Sequence, residues 1–188
     1  MLLRSNRWAR LPDWLLALAL CTAVVSRAIE GHAPNQVTRD AAALFQTDSL
    51  RHTLHATGGG FDGEIGVTFT NRTSGTVFIV NCNGATVVYL EKRIAGQWTR
   101  VWSPPIPLCL GPPITVRAGA TYRTRLRIFG GYPGTKVFPQ FSSTDIAGEY
   151  RAGWANVLSS YQNRPPFGDP LPIEQRLSNR FMLATERR

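Results

Sequence analysis

The chain of 188 residues is poor in the groups that carry chemistry. Its soft ligands are three histidines (His32, His52, His55) and three cysteines (Cys21, Cys82, Cys109). No histidine or third cysteine lies near Cys82 or Cys109 in sequence, which argues against a zinc site. His52-x-x-His55 would set two imidazoles on one helical turn, but it lacks an evident third ligand and runs into Gly58-Gly59-Gly60. It therefore reads as solvated linker. No serine sits in a nucleophile elbow, and no cysteine is followed by a plausible histidine partner. Asp62 and Glu64 border the glycine run, and Asp145 and Glu149 flank a tyrosine turn, so neither pair reads as carboxylates fixed across a cleft. The expectation is a protein that is not an enzyme, with no metal and no cofactor. Lysine is scarce too, at Lys92 and Lys136 alone, so the positive charge is nearly all arginine. Genomic base composition can produce that bias, and arginine richness alone is weak evidence for a polyanionic partner. Finally, there is no apolar run of about 20 residues, the length a membrane-spanning helix needs.

What the chain does have begins at its amino terminus. Arg4, Arg7 and Arg10 precede an apolar run from Trp14 to Val25, closed by Ser26-Arg27-Ala28. That order is a signal peptide, residues 1–28, with Gly31-His32-Ala33 as a second small-x-small site. An uncleaved anchor and a lipoprotein attached at Cys21 stay open, although Leu20 is large for a lipidation site. Losing the four arginines and one aspartate of the leader lowers the net charge from +9 to +6. About 160 residues remain, enough for one domain with a proper core.

Residues 29–63 read as a flexible lead-in, with a short helix starting at Asp40. From Glu64 the pattern alternates with period two, as in half-buried strands. Ile65, Val67 and Phe69 share one face, and further strands are expected at Val77–Val80, Thr86–Arg93 and Gln97–Trp102. Others follow at Ile114–Val116, Thr121–Ile128, Gly148–Val157 and Arg176–Ala184. Ala95-Gly96 marks a hairpin. Ser103–Pro113 carries five prolines and cannot be a central strand; Gly130–Ser143 and Asn163–Pro172 are the other long loops. Cys82 and Cys109, an even pair in an exported chain, read as a disulfide, with two buried thiols as the alternative.

Three constellations could contact a partner. Arg123, Arg125 and Arg127 fall on one face of one strand, with Arg117 near its start, and could bind sulfate, phosphate or carboxylate groups. The same row also suits a solvent-facing strand that needs charge against aggregation. Trp98 and Trp154 are expected in the core, whereas Trp102, Tyr132 and Phe167 beside the loops are the aromatic candidates for exposure. Asn71-Arg72-Thr73 is a glycosylation sequon in a turn.

Val88-Tyr89-Leu90-Glu91-Lys92 with Gly96-Gln97-Trp98, the Ala118-Gly119 turn, Gly148-Glu149-Tyr150-Arg151 and Ser178-Asn179-Arg180-Phe181 together form a pattern. It resembles bacterial immunoglobulin-like domains of exported proteins and, more distantly, proteinase-inhibitor-like bacterial β-sandwiches. The resemblance covers about Glu64 to Ala184. It implies an all-β, antiparallel immunoglobulin-like β-sandwich of seven to eight strands over residues 64–188, with a tyrosine corner at Tyr150. The expected function is a non-catalytic binding or structural module of the bacterial cell envelope, periplasmic or extracellular. It would contact an envelope protein or anionic surface polymer through the proline-rich loops; an inhibitor presenting a loop to a protease is the alternative. Nucleic acid is not expected as a partner, and membrane contact is expected only if the leader is retained or Cys21 is lipidated.

Overall fold

A computed structural model of the protein describes residues 42–105, 109, 111–164 and 166–187. The leader, the helix start at Asp40 and Cys21 lie outside them. The described residues form thirteen strands: β1 (Phe45–Thr47), β2 (Arg51–Thr57), β3 (Gly60–Thr70), β4 (Val77–Ile79), β5 (Asn81–Cys82), β6 (Ala85–Thr86), β7 (Val88–Ile94), β8 (Gln97–Trp102), β9 (Ile114–Val116), β10 (Thr121–Gly131), β11 (Gly148–Trp154), β12 (Val157–Leu158) and β13 (Phe181–Arg187). A 3₁₀ turn covers Ile173–Arg176. The protein is all-β.

The main sheet has eight strands. β3 pairs with β10 along one edge and with β1 and β2, end to end, along the other; the order then continues through β13, β11 and β7 to β8. β12-β4-β9 form a second sheet and β5-β6 a small hairpin. One pair of strands departs from the antiparallel expectation, β2 running parallel to β13, and single parallel bridges join Phe45 to Ser178 and Gly131 to Gln140. The main sheet is therefore mixed, and the two smaller ones are antiparallel.

Alternation builds the core as the sequence predicts. Ile65, Val67 and Phe69 are buried on one face of β3, and Phe45 stacks on Trp154 with ring centroids 3.8 Å apart. Ala95 and Gly96 both have positive φ (48° and 83°), which gives the tight β7–β8 hairpin its twist. The main sheet curls until its outer strands meet at one end. There the Trp102 Nε1–H of β8 donates to the Phe129 carbonyl of β10 at 3.0 Å. The segment Pro139–Ser142 completes the join, with Phe141 N bonded to Gly131 O and Ser142 N bonded to Val101 O. The tyrosine corner is present: Tyr150 Oη donates to the Ile146 carbonyl, and burial with the nearby Asp145 charge pushes the phenol pKa up.

The folded body starts well before Glu64. β1, β2 and the start of β3 occupy the stretch read as lead-in, and Phe45 and Leu54 are fully buried. Residues 42–45 lead into a strand rather than a helix. Contacts remote in sequence hold them. Asn179 Oδ1 accepts from Thr47 N at 2.7 Å, its Nδ2 donates to Thr47 Oγ1 at 2.9 Å, and its own N–H donates to Phe45 O at 3.0 Å. The Gly58-Gly59-Gly60 run is the β2–β3 turn, and a Cβ at Gly60 would lie 2.1 Å from the Gly130 carbonyl. The last strand begins at Phe181 instead of Arg176, because Ile173–Arg176 form the 3₁₀ turn, from which Arg176 donates to the Leu171 and Ala155 carbonyls at 2.9 and 2.8 Å.

Candidate functional site

β10 carries three arginines over 11 residues, and its side chains divide as period two requires. Leu126 and Ile128 are buried and Tyr122 is half-buried, whereas Arg123, Arg125 and Arg127 are exposed on the opposite face. Their neighbours on β3 are small or acidic: Arg123 lies opposite Thr68, Arg125 opposite Gly66 and Arg127 opposite Glu64. Arg125 reaches Glu64 at 3.5 Å with both side chains exposed (81% and 57%), an arrangement that holds little energy in water. Arg127 lies 5.5 Å from the Phe129 ring, and among the described residues neither it nor Arg123 has a carboxylate partner. Arg117 is exposed in the turn between β9 and β10, off the row.

Beside the row, Gly66 leaves an open groove of about 550 Å³ lined by Asp48, Thr68, Arg123 and Arg125. The Asp48 carboxylate occupies the space a Cβ on Gly66 would take, 2.4 Å from that position. Asp48 also stands 3.8 Å from His52 Nε2, which bonds the Ser49 carbonyl at 2.9 Å. Burial pulls the His52 pKa below its usual value, against the opposing pull of Asp48 and of Ser49. The linker reading of His52 and His55 gives way to strand β2, where residues three apart point to opposite faces.

Cys82 and Cys109 are joined by a disulfide across 27 residues, stapling the first proline-rich loop to β5. The aromatic candidates are placed differently from expectation. Trp102 is buried at 3% exposure because the curled sheet closes over its indole. Tyr132 packs edge-on against Phe61, and Phe167 packs on the small cluster around Val80, Cys82 and Leu158. Trp154 is in the core as expected, but Trp98 lies on the outer face beneath the Arg151 guanidinium, 4.5 Å from its ring. The exposed aromatic that the sequence did not single out is Phe138, 74% exposed beside Val137 on the Gly130–Ser143 loop. A Val-Phe-Pro run inside a loop, where no alternation asks for burial, was its available signal. Asn71 is fully buried and donates through Nδ2 to Gly75 O and Val116 O, both at 2.8 Å, so the sequon amide is engaged within the fold.

A second arginine cluster, also missed, gathers Arg72, Arg93, Arg151 and Arg180 with Trp98 around a groove of about 900 Å³. Within it Arg151 pairs with Glu91 at 2.7 Å, and Arg93 and Arg180 pair with Glu149 at 3.3 Å each. Sequence could not assemble it, because its members come from four separate segments. The β10 row, with a single long pair to Glu64, retains more of its charge for a partner.

No family model and no curated relative matches the chain. Among solved structures there is a faint likeness to the Pseudomonas fluorescens alkylpurine DNA glycosylase AlkC bound to DNA containing an abasic site analog. The identity is 12%, the TM-score 0.27, and the match covers 77% of this chain and 31% of that protein. So slight a likeness carries no argument about fold or function. The chain spans less than a third of the glycosylase's length.

Proposed function

We propose that the protein is an exported, non-catalytic binding or structural module of the bacterial cell envelope, contacting an anionic partner through the β10 arginines. The observation that carries this reading is the row Arg123, Arg125 and Arg127, exposed together and lightly paired. The Cys82–Cys109 disulfide supports an oxidising compartment, and the basic-apolar leader pattern supports export. No helix among the described residues is long and apolar enough to cross a membrane. Kinship with immunoglobulin-like sandwiches is supported by the tyrosine corner and by the Ser178-Asn179 motif, which anchors β1; the parallel β2–β13 pair sets this chain apart from the simplest such sandwich.

Affinity capture from an envelope extract tests the reading, using the protein and its Arg123→Ser/Arg125→Ser/Arg127→Ser variant at low and high salt. A polyanion or acidic protein retained at low salt, released by salt and lost in the variant is the expected result. Equal capture by both forms would remove the arginine row from the function. A second reading, a protease inhibitor, is favoured by one observation: Phe138 projects from a proline-flanked loop. It requires near-stoichiometric loss of a protease activity that Phe138→Ala restores.

A further inference from the structure

β10 is a sheet edge, and its backbone polarity follows from three bonds at its end. The Phe129 carbonyl accepts from Trp102, Gly131 N–H donates to Pro139 O, and Gly131 O accepts from Phe141 N. None of these partners is on β3. In an antiparallel ladder both backbone groups of alternate residues turn to the same side, and the β3–β10 register is unbroken from Thr121 to Gly131. The N–H and C=O groups of Arg123, Arg125 and Arg127 therefore point to the outer edge as well. Among the described residues no strand pairs with that edge before Gly131, where Gln140 makes a single parallel bridge.

A groove of about 330 Å³ runs beside this edge. Leu126 and Ile128 line it together with Val88, Trp102, Pro104 and Pro105, and Arg125 and Arg127 line it too. A strand added to β10 would place alternate side chains in this apolar groove and the others beside the arginines. Charge selects among occupants. Two copies joined edge to edge about Arg125 would set arginine against arginine, which is unfavourable for directly opposed residues. Carboxylates at the same positions would be matched.

We propose that the outer edge of β10 is a strand-addition site for an extended acidic peptide of a partner protein, with acidic residues opposite Arg123, Arg125 and Arg127 and apolar residues between them. This rests on the reading of the arginine row as the contact surface, and it adds that the main chain, not charge alone, is recognised.

The probe is a synthetic peptide of about eight alternating Glu and Val residues, a length suited to one strand. It is compared with the same peptide N-methylated at alternate amides and with inorganic polyphosphate. Binding is read by fluorescence anisotropy, and amide hydrogen exchange is followed residue by residue in the whole chain. The peptide is expected to slow exchange at the amides of Arg123, Arg125 and Arg127, and methylation on its bonding edge to weaken binding by about tenfold or more. Equal binding of both peptides, lost with the triple serine variant and without amide protection, would overturn strand addition while leaving the arginine surface standing. Failure of peptide and polyphosphate alike to bind would overturn both. Protection of the same amides by dimerisation of the protein alone would overturn the acidic-peptide proposal in favour of self-pairing.

Discussion

Replacing Asn179 with alanine is expected to loosen β1 from the sheet while leaving β11 and β7 in place. The Asn179 side chain is buried and bonds Thr47 N, Thr47 Oγ1 and Arg180 O. Truncation strands the Thr47 N–H, in a residue 1% exposed, and an unmade buried bond of this kind costs about 1–3 kcal/mol. Loss of the two Nδ2 bonds adds about 1 kcal/mol net; Thr47 Oγ1 keeps its bond to Ser49 O. The expected destabilisation is therefore about 3 kcal/mol. Urea unfolding followed by tryptophan fluorescence measures it, since Trp154 stacks on the β1 residue Phe45. Hydrogen exchange at Thr47 should accelerate far more than exchange in β7. A change in unfolding free energy below about 0.5 kcal/mol, or unaltered exchange at Thr47, would refute the assignment of β1 anchoring to this side chain.

Three further outcomes are expected. Cys82→Ser/Cys109→Ser should lower stability by about 3.5 kcal/mol, the chain-entropy value for a 27-residue closure, and reductant should bring the parent close to the variant in urea melts while leaving the variant unmoved. Gly153→Ala should cost more than about 2 kcal/mol in the same assay, because a Cβ there would fall 2.2 Å from the Tyr89 ring. For His52, whose folded pKa lies below its unfolded value, stability should be full above the unfolded pKa and fall as pH drops through it toward the folded pKa; His52→Gln should flatten the pH dependence of the unfolding midpoint below about pH 6.5.

Strands in which alternation and turn residues agree were legible in the sequence. Ile65-x-Val67-x-Phe69 and the Ala95-Gly96 hairpin depend on local pattern and turn chemistry. β1 and β2 were not legible, because their stability comes from Asn179 and from pairing with β13 at the far end of the chain. The arginine row was readable for the same reason as β3: period two puts like residues on one face. That β10 is an edge, and that Trp102 closes against it, depends on the curl of the whole sheet, which no short window encodes. The Tyr150 corner was anticipated from Gly148-Glu149-Tyr150; the groove around Arg72, Arg93, Arg151 and Arg180 needed the fold to bring those residues together.

The parallel pairing of β2 with β13 also has a mechanical consequence. Arg51 lies beside Met182 and Ala56 beside Arg187, so the chain enters this pair at one end and leaves it at the other. Tension applied at Arg51 and Arg187 therefore pulls the two strands lengthwise past each other. The ladder over the six paired positions carries the load together instead of peeling open bond by bond. Built this way, the β2–β13 pair resists being drawn apart along its length by the shear strength of the whole ladder.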